Sequence, residues 1–180
     1  NQLEIKRTVT NPHSHAPFIP GSALKGCLRT ALLEQLSADY RGNKPTAKQA
    51  IHYENELLGS FATDLLRLLK PADLSAAAPI ATHIQYATNH KKRIVKGRER
   101  GKGVPGRRET IQHGQYRAFS GSLTLQNLLL DHRPHIKNPG KTLPGEPRPD
   151  FTRLIRAANH YHLTRFTKES ALLLERGLIQ

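Results

Sequence analysis

Two stretches of this chain are unsuited to a hydrophobic core, and they constrain how the remainder folds. The first, 91–108, carries Lys91, Lys92, Arg93, Lys96, Arg98, Arg100, Lys102, Arg107 and Arg108 among four glycines and a proline. Such a run reads as a mobile basic loop or an extended hairpin. The second, 131–149, holds five prolines and several basic residues and reads as a linker. A core must come from the leucine clusters outside them, such as Leu65, Leu66, Leu68, Leu69 and Leu172, Leu173, Leu174. Chains that stay unfolded lack such clusters, so a folded protein with polar loops is expected.

Periodicity then divides the chain. Residues 3–10 alternate apolar and polar and read as a half-buried strand. Residues 11–20, with three prolines and two histidines, read as a loop. Leu24, Leu28, Leu32 and Leu36 mark one face of a helix over about 22–37, with Ser22 as its N-cap and Arg41–Pro45 beyond its end. Leu57, Leu58, Phe61 and Leu65 suggest a second helix over 54–69 that Pro71 stops, or a strand starting near Leu66. A strand is expected over 79–88, with Ile80, Ile84 and Tyr86. One or two more are expected between Glu109 and Leu125. A last helix, 150–176, follows from the spacing of Leu154, Ala157, Ala158, Tyr161, Arg165 and Phe166, with Gly177 as its C-cap. The pattern is α+β. The division expected is a domain over 1–130 with a basic insertion at 90–108, the linker 131–149, and a helical segment 150–180.

Charge narrows the function. Lys and Arg number 28 against 14 Asp and Glu, a formal net charge of +14 over 180 residues. A compact domain this basic attracts polyanions, nucleic acid first among them. Cys27 is the only cysteine, so neither an intrachain disulfide nor a Cys-rich metal site is expected, which suits a reducing cytoplasm. No apolar run approaches the roughly 20 residues of a membrane helix. The absence of methionine, even at position 1, points to a portion of a longer protein.

The sharpest local feature is Pro17-Phe18-Ile19-Pro20-Gly21-Ser22-Ala23-Leu24-Lys25-Gly26-Cys27-Leu28-Arg29. A strand runs through a Pro-Gly turn into a helix whose first backbone N–H groups favour an anion. Ser22, Lys25 and Arg29 lie three and four residues apart, on one helix face away from the leucine stripe. A hydroxyl, an ammonium and a guanidinium there make a phosphate cradle, and Gly26 permits close approach. An ordinary capped helix with two solvated cations fits the spacing as well. The segment is not a nucleotide P-loop, because Gly-x-x-x-x-Gly-Lys-Ser/Thr is missing.

This segment resembles the Ile-Pro-Gly-Ser-Ser-Leu-Lys-Gly-x-x-Arg signature of RAMP-superfamily proteins from type III CRISPR effectors, with Ala23 replacing the second serine. Weaker similarities extend along the chain: Leu65–Asp73 to an Arg-x-x-x-Val-Ser-Asp region, Arg108–Gly114 to a Glu-x-(Ile/Val)-x-x-Gly strand entry, and Ala158-Asn159-His160 with Glu169 to an Asn-containing C-terminal helix. They are most similar to the type III-A (Csm) subunit that caps the 3′ end of the CRISPR guide RNA (crRNA). The resemblance implies a ferredoxin-like, RRM-like RAMP domain with long basic loops and added helices. It implies a non-enzymatic, crRNA-binding subunit in crRNA maturation, complex assembly and antiviral defence. Expected partners are crRNA, target RNA, a neighbouring RAMP backbone subunit and a small helical subunit, with no membrane, cofactor or metal. The expected RNA-binding residues are Gly21, Ser22, Lys25, Arg29, Arg67, Lys91, Lys92, Arg93, Arg107 and Arg108. The usual first strand and a glycine-rich C-terminal segment are not evident.

In backbone subunits of such complexes a loop Asp before the motif helps cut target RNA. Asn11 stands at the equivalent position, and an amide cannot act as that carboxylate. The alternative is a RAMP endoribonuclease that processes repeat RNA with a loop histidine, His13 or His15. Tyr86, Tyr116 and Phe119 are candidates for stacking on a base, although core packing is the stronger expectation for each. His160 and His162 point about 200° apart on a helix, a poor geometry for a metal, and Cys27 reads as a small core residue.

Overall fold

The fold comes from a computed structural model that describes residues 4–40, 46, 49–61, 63–88, 105–126 and 150–177. Among these residues the protein is mixed α+β, with three helices and three small sheets. In chain order the elements are β1 (Ile5–Lys6), β2 (Phe18–Ile19), α1 (Gly21–Asp39), α2 (Ala50–Leu58), β3 (Leu69–Pro71), β4 (Leu74–Ala76), β5 (Thr82–Ala87), β6 (Gly106–Ile111), β7 (Phe119–Ser120), β8 (Leu123–Leu125) and α3 (Phe151–Glu175). Two compact units form, one from Asn1–Pro20 with Asp73–Gly121, the other from Gly21–Ala72 with Ser122–Gln180. The helix expected at 150–176 therefore belongs to the same unit as α1. The linker 131–149 lies outside the described residues.

In the first unit β6 is the middle strand of a three-stranded sheet, parallel to β1 and antiparallel to β5. β2, β4 and β7 make a second, antiparallel sheet. The strand expected at 3–10 contracts to Ile5–Lys6, with an isolated bridge between Thr10 and Pro17. The loop between them is tied by Asn11, whose Oδ1 accepts from the N–H groups of His13 and Ser14 at 2.9 and 3.2 Å. That is an Asx-type turn. Ile80 falls outside β5, which starts at Thr82. β6 starts at Gly106, paired with Ala87, so the base of the basic insertion is a hairpin. Its segment 89–104 lies outside the described residues.

The second unit holds the hydrophobic core. Leu28 and Leu32 of α1, Leu58 of α2, Leu66, Leu69 of β3 and Leu154 of α3 form one buried cluster, with Leu24, Leu36, Leu123, Leu125 and Ala158 against it. Truncating such a leucine to alanine costs about 2–5 kcal/mol. Asp150 caps α3 by accepting from the Arg153 N–H at 2.6 Å. At its other end Gly177 takes φ 61°, the left-handed state glycine favours.

Of the two readings of 54–69, the strand near Leu66 forms, as β3 from Leu69, and the helix is cut short. The helix, α2, starts earlier, at Ala50. It ends at Leu58, because Gly59 turns left-handed (φ 90°) and a Cβ there would meet the Thr63 carbonyl oxygen at 2.4 Å. Pro71 instead closes β3, half of a two-stranded sheet with β8, where a missing N–H is tolerated. Phe61 leaves the core stripe and is 92% exposed, and Phe166 is 66% exposed on α3.

Candidate nucleic-acid interface

The start of α1 differs from the cap expected of it. The helix begins at Gly21, so Ser22 sits inside the first turn and faces solvent. Gly21 is buried, and a Cβ on it would lie 2.4 Å from the Pro71 carbonyl oxygen and 2.9 Å from the Ala72 carbonyl carbon. The Pro-Gly pair thus lets α1 begin hard against the end of β3, and the glycine serves packing. Gly26 has open space around it and is exposed.

Ser22, Lys25 and Arg29 share a face, but the two cations already have partners. Arg29 pairs with Asp64, and its other amino group lies 3.6 Å from Glu54. Asp64 also accepts from the Leu66 N–H at 2.7 Å, so its carboxylate ties the 64–66 turn to α1. Lys25 Nζ donates to the Leu69 carbonyl oxygen at 3.1 Å. Burial lowers the Lys25 pKa below its ordinary value, the Lys70 ammonium lowers it further, and Asp64 partly offsets both. The exposed Lys70 and Arg67 follow in sequence, with the Arg67 guanidinium 5.8 Å from the Phe61 ring centroid. The cluster is an excess of cations around the Asp64 carboxylate. The partners of Arg29 come from 25 and 35 residues away, and no spacing rule reveals them.

The first unit offers a second basic surface. Across its sheet the register sets Lys6 beside Arg108 and Arg108 beside Gln85, all three exposed. Side chains alternate between faces, so Arg107 joins Ile5 and Tyr86 on the other side. The Arg107 guanidinium lies 5.8 Å from the Tyr86 ring centroid. Tyr86 is 66% exposed and Tyr116 is 93% exposed, so neither packs in a core, contrary to expectation. Phe119 is half-buried in β7. Glu109 offsets part of this charge: Thr82 donates to Oε1 at 3.0 Å, and Arg7 lies 3.9 Å from Oε2.

The remaining expected positions divide simply. Lys91, Lys92 and Arg93 lie outside the described residues. His13 and His15 are exposed in the Asn11 loop. No group of three or more metal-ligating side chains occurs among the described residues, and none of their helices is long and apolar enough to cross a membrane. One contact escaped the sequence: Cys27 Sγ lies 2.9 Å from His162 Nε2, across 135 residues. No protein-family model matches this sequence, and the comparison with curated proteins finds no relative.

Proposed function

We propose that this chain is a crRNA-binding structural subunit of RAMP type, from a type III-A CRISPR effector, acting at the 3′ end of the guide RNA in its maturation and in complex assembly. The observation that carries the reading is the long Pro17–Arg29 motif, lying where β2 leads through Pro20 into α1. The net charge of +14 agrees with a polyanionic partner. The exposed Lys6 and Arg108 offer phosphate contacts on one face of the first unit's sheet, and Tyr86 beside Arg107 offers a stacking surface on the other, each of a kind single-stranded RNA uses. The ferredoxin-like, RRM-like assignment belongs to this proposal and rests on the motif.

The cradle takes a different form from the one spacing alone gives. Its open groups are the Ser22 hydroxyl, the remaining Lys25 donors and the exposed Lys70 side chain. Arg29 acts chiefly as a strut. Phosphate contacts of this sort hold and orient a strand without reading its bases.

The test is isolation of the tagged full chain from cells carrying the type III-A operon, with its bound RNA sequenced. Guide-sized RNA ending in spacer sequence, together with sibling RAMP subunits, is the expected result. Ribosomal RNA in proportion to its abundance, with no sibling subunits, would overturn the reading. The endoribonuclease alternative is tested by incubation with repeat RNA in chelator. Specific cuts lost in His13→Ala or His15→Ala would favour the enzyme.

A further inference from the structure

We infer that Cys27 is a reactive thiol, activated by His162, that forms mixed disulfides with small oxidised disulfides. The sulfur stands on α1 and the imidazole on α3, within the same compact unit. Sγ and Nε2 are 2.9 Å apart, within reach for direct proton transfer. The same Nε2 lies 3.3 Å from the Cys27 carbonyl oxygen. Both residues are half-buried, and the reaction requires that a small reagent reach the sulfur.

The imidazole is also held in orientation. The Tyr161 ring meets it edge-on at 4.8 Å between centroids, and the Arg165 guanidinium covers Tyr161 at 4.4 Å. Nucleophile, base and orienting neighbour are the parts an activated thiol needs. In the reaction the Sγ proton passes to Nε2 as sulfur attacks one sulfur of the small disulfide. A new S–S bond forms and the old one breaks. The leaving thiolate then takes the proton from Nε2. The small disulfide is the oxidant, and one small thiol is released for each Cys27 capped. The chain's positive charge favours an anionic disulfide.

This inference does not depend on the RNA reading, and its assay contains no RNA. The full chain is incubated with oxidised glutathione at neutral pH, folded and in urea, and the adduct is followed by mass spectrometry. The folded chain is expected to react at least tenfold faster than the unfolded one, and His162→Gln to remove that advantage while circular dichroism is unchanged. Should the Gln variant disturb the helices, His162→Asn takes its place. A folded thiol no faster than the unfolded one, or a His162 variant reacting at the native rate, would overturn the inference.

Discussion

Replacing Asp64 with alanine isolates the contact that most changes the picture of the motif helix. The carboxylate is 16% exposed and serves two donors, the Arg29 guanidinium and the Leu66 N–H. A hydrogen bond involving a charged group is worth about 1.5–3 kcal/mol. Arg29 is 32% exposed and keeps Glu54 at 3.6 Å, so solvent and that second carboxylate reduce its share to about 1–2 kcal/mol. The Leu66 N–H adds about 1 kcal/mol, since the turn leaves it without its acceptor. Asp64→Ala should therefore destabilise the protein by about 2–3 kcal/mol. In a double-mutant cycle with Arg29→Ala, read by urea unfolding at low salt, the coupling should be about 1 kcal/mol. RNA affinity should rise in Asp64→Ala, because a negative charge leaves the cation cluster. A loss below about 0.5 kcal/mol, or a coupling of zero, would refute the strut and return Arg29 to the role of an open phosphate ligand.

Other outcomes follow from the same geometry. Gly21→Ala drives a methyl group into the Pro71 and Ala72 backbone, which cannot yield as a side chain can. It should cost about 3 kcal/mol or more in thermal or urea unfolding, whereas Gly26→Ala, in open space, should stabilise α1 by up to about 1 kcal/mol. Lys25 has a folded pKa below its usual value of 10.5, so the unfolded chain holds that proton to higher pH. Its contribution to stability therefore rises with pH across the window that ends near 10.5. Lys25→Met should lose that rise, measured as the difference in unfolding free energy between the two proteins across the window. An identical pH slope in both would contradict the electrostatic account.

What the sequence reveals follows how local each feature is. The leucine stripe of α1 and the Gly177 end of α3 are local signals and lie close to where spacing puts them, and the Asp150 cap found in the structure is a signal of the same local kind. Strand lengths depend on partners far along the chain. The expected strand at 3–10 therefore shrinks to two residues, while β6 starts three residues before Glu109. The residues of α3 that follow helical spacing fall on two apolar stripes. Leu154 and Ala157 are buried, and Ile155, Leu163, Phe166 and Leu174 are exposed. Periodicity marks both stripes without saying which one packs. The motif spacing puts Ser22, Lys25 and Arg29 on one face, but only tertiary structure supplies Asp64 to Arg29, Leu69 to Lys25 and His162 to Cys27.

We propose that the cations beside Asp64 grip a ribose-phosphate chain. This is tested most directly by fluorescence anisotropy of a single-stranded RNA titrated with the full chain at several salt concentrations. Each neutralised phosphate contributes a log–log slope of about −0.7. The native chain should give about −2 or steeper, for three or more contacts. The variant Lys25→Ala with Lys70→Ala should be shallower by about 0.7–1.4 at unchanged fold. A native slope near zero, or a variant slope equal to the native one, would contradict the account.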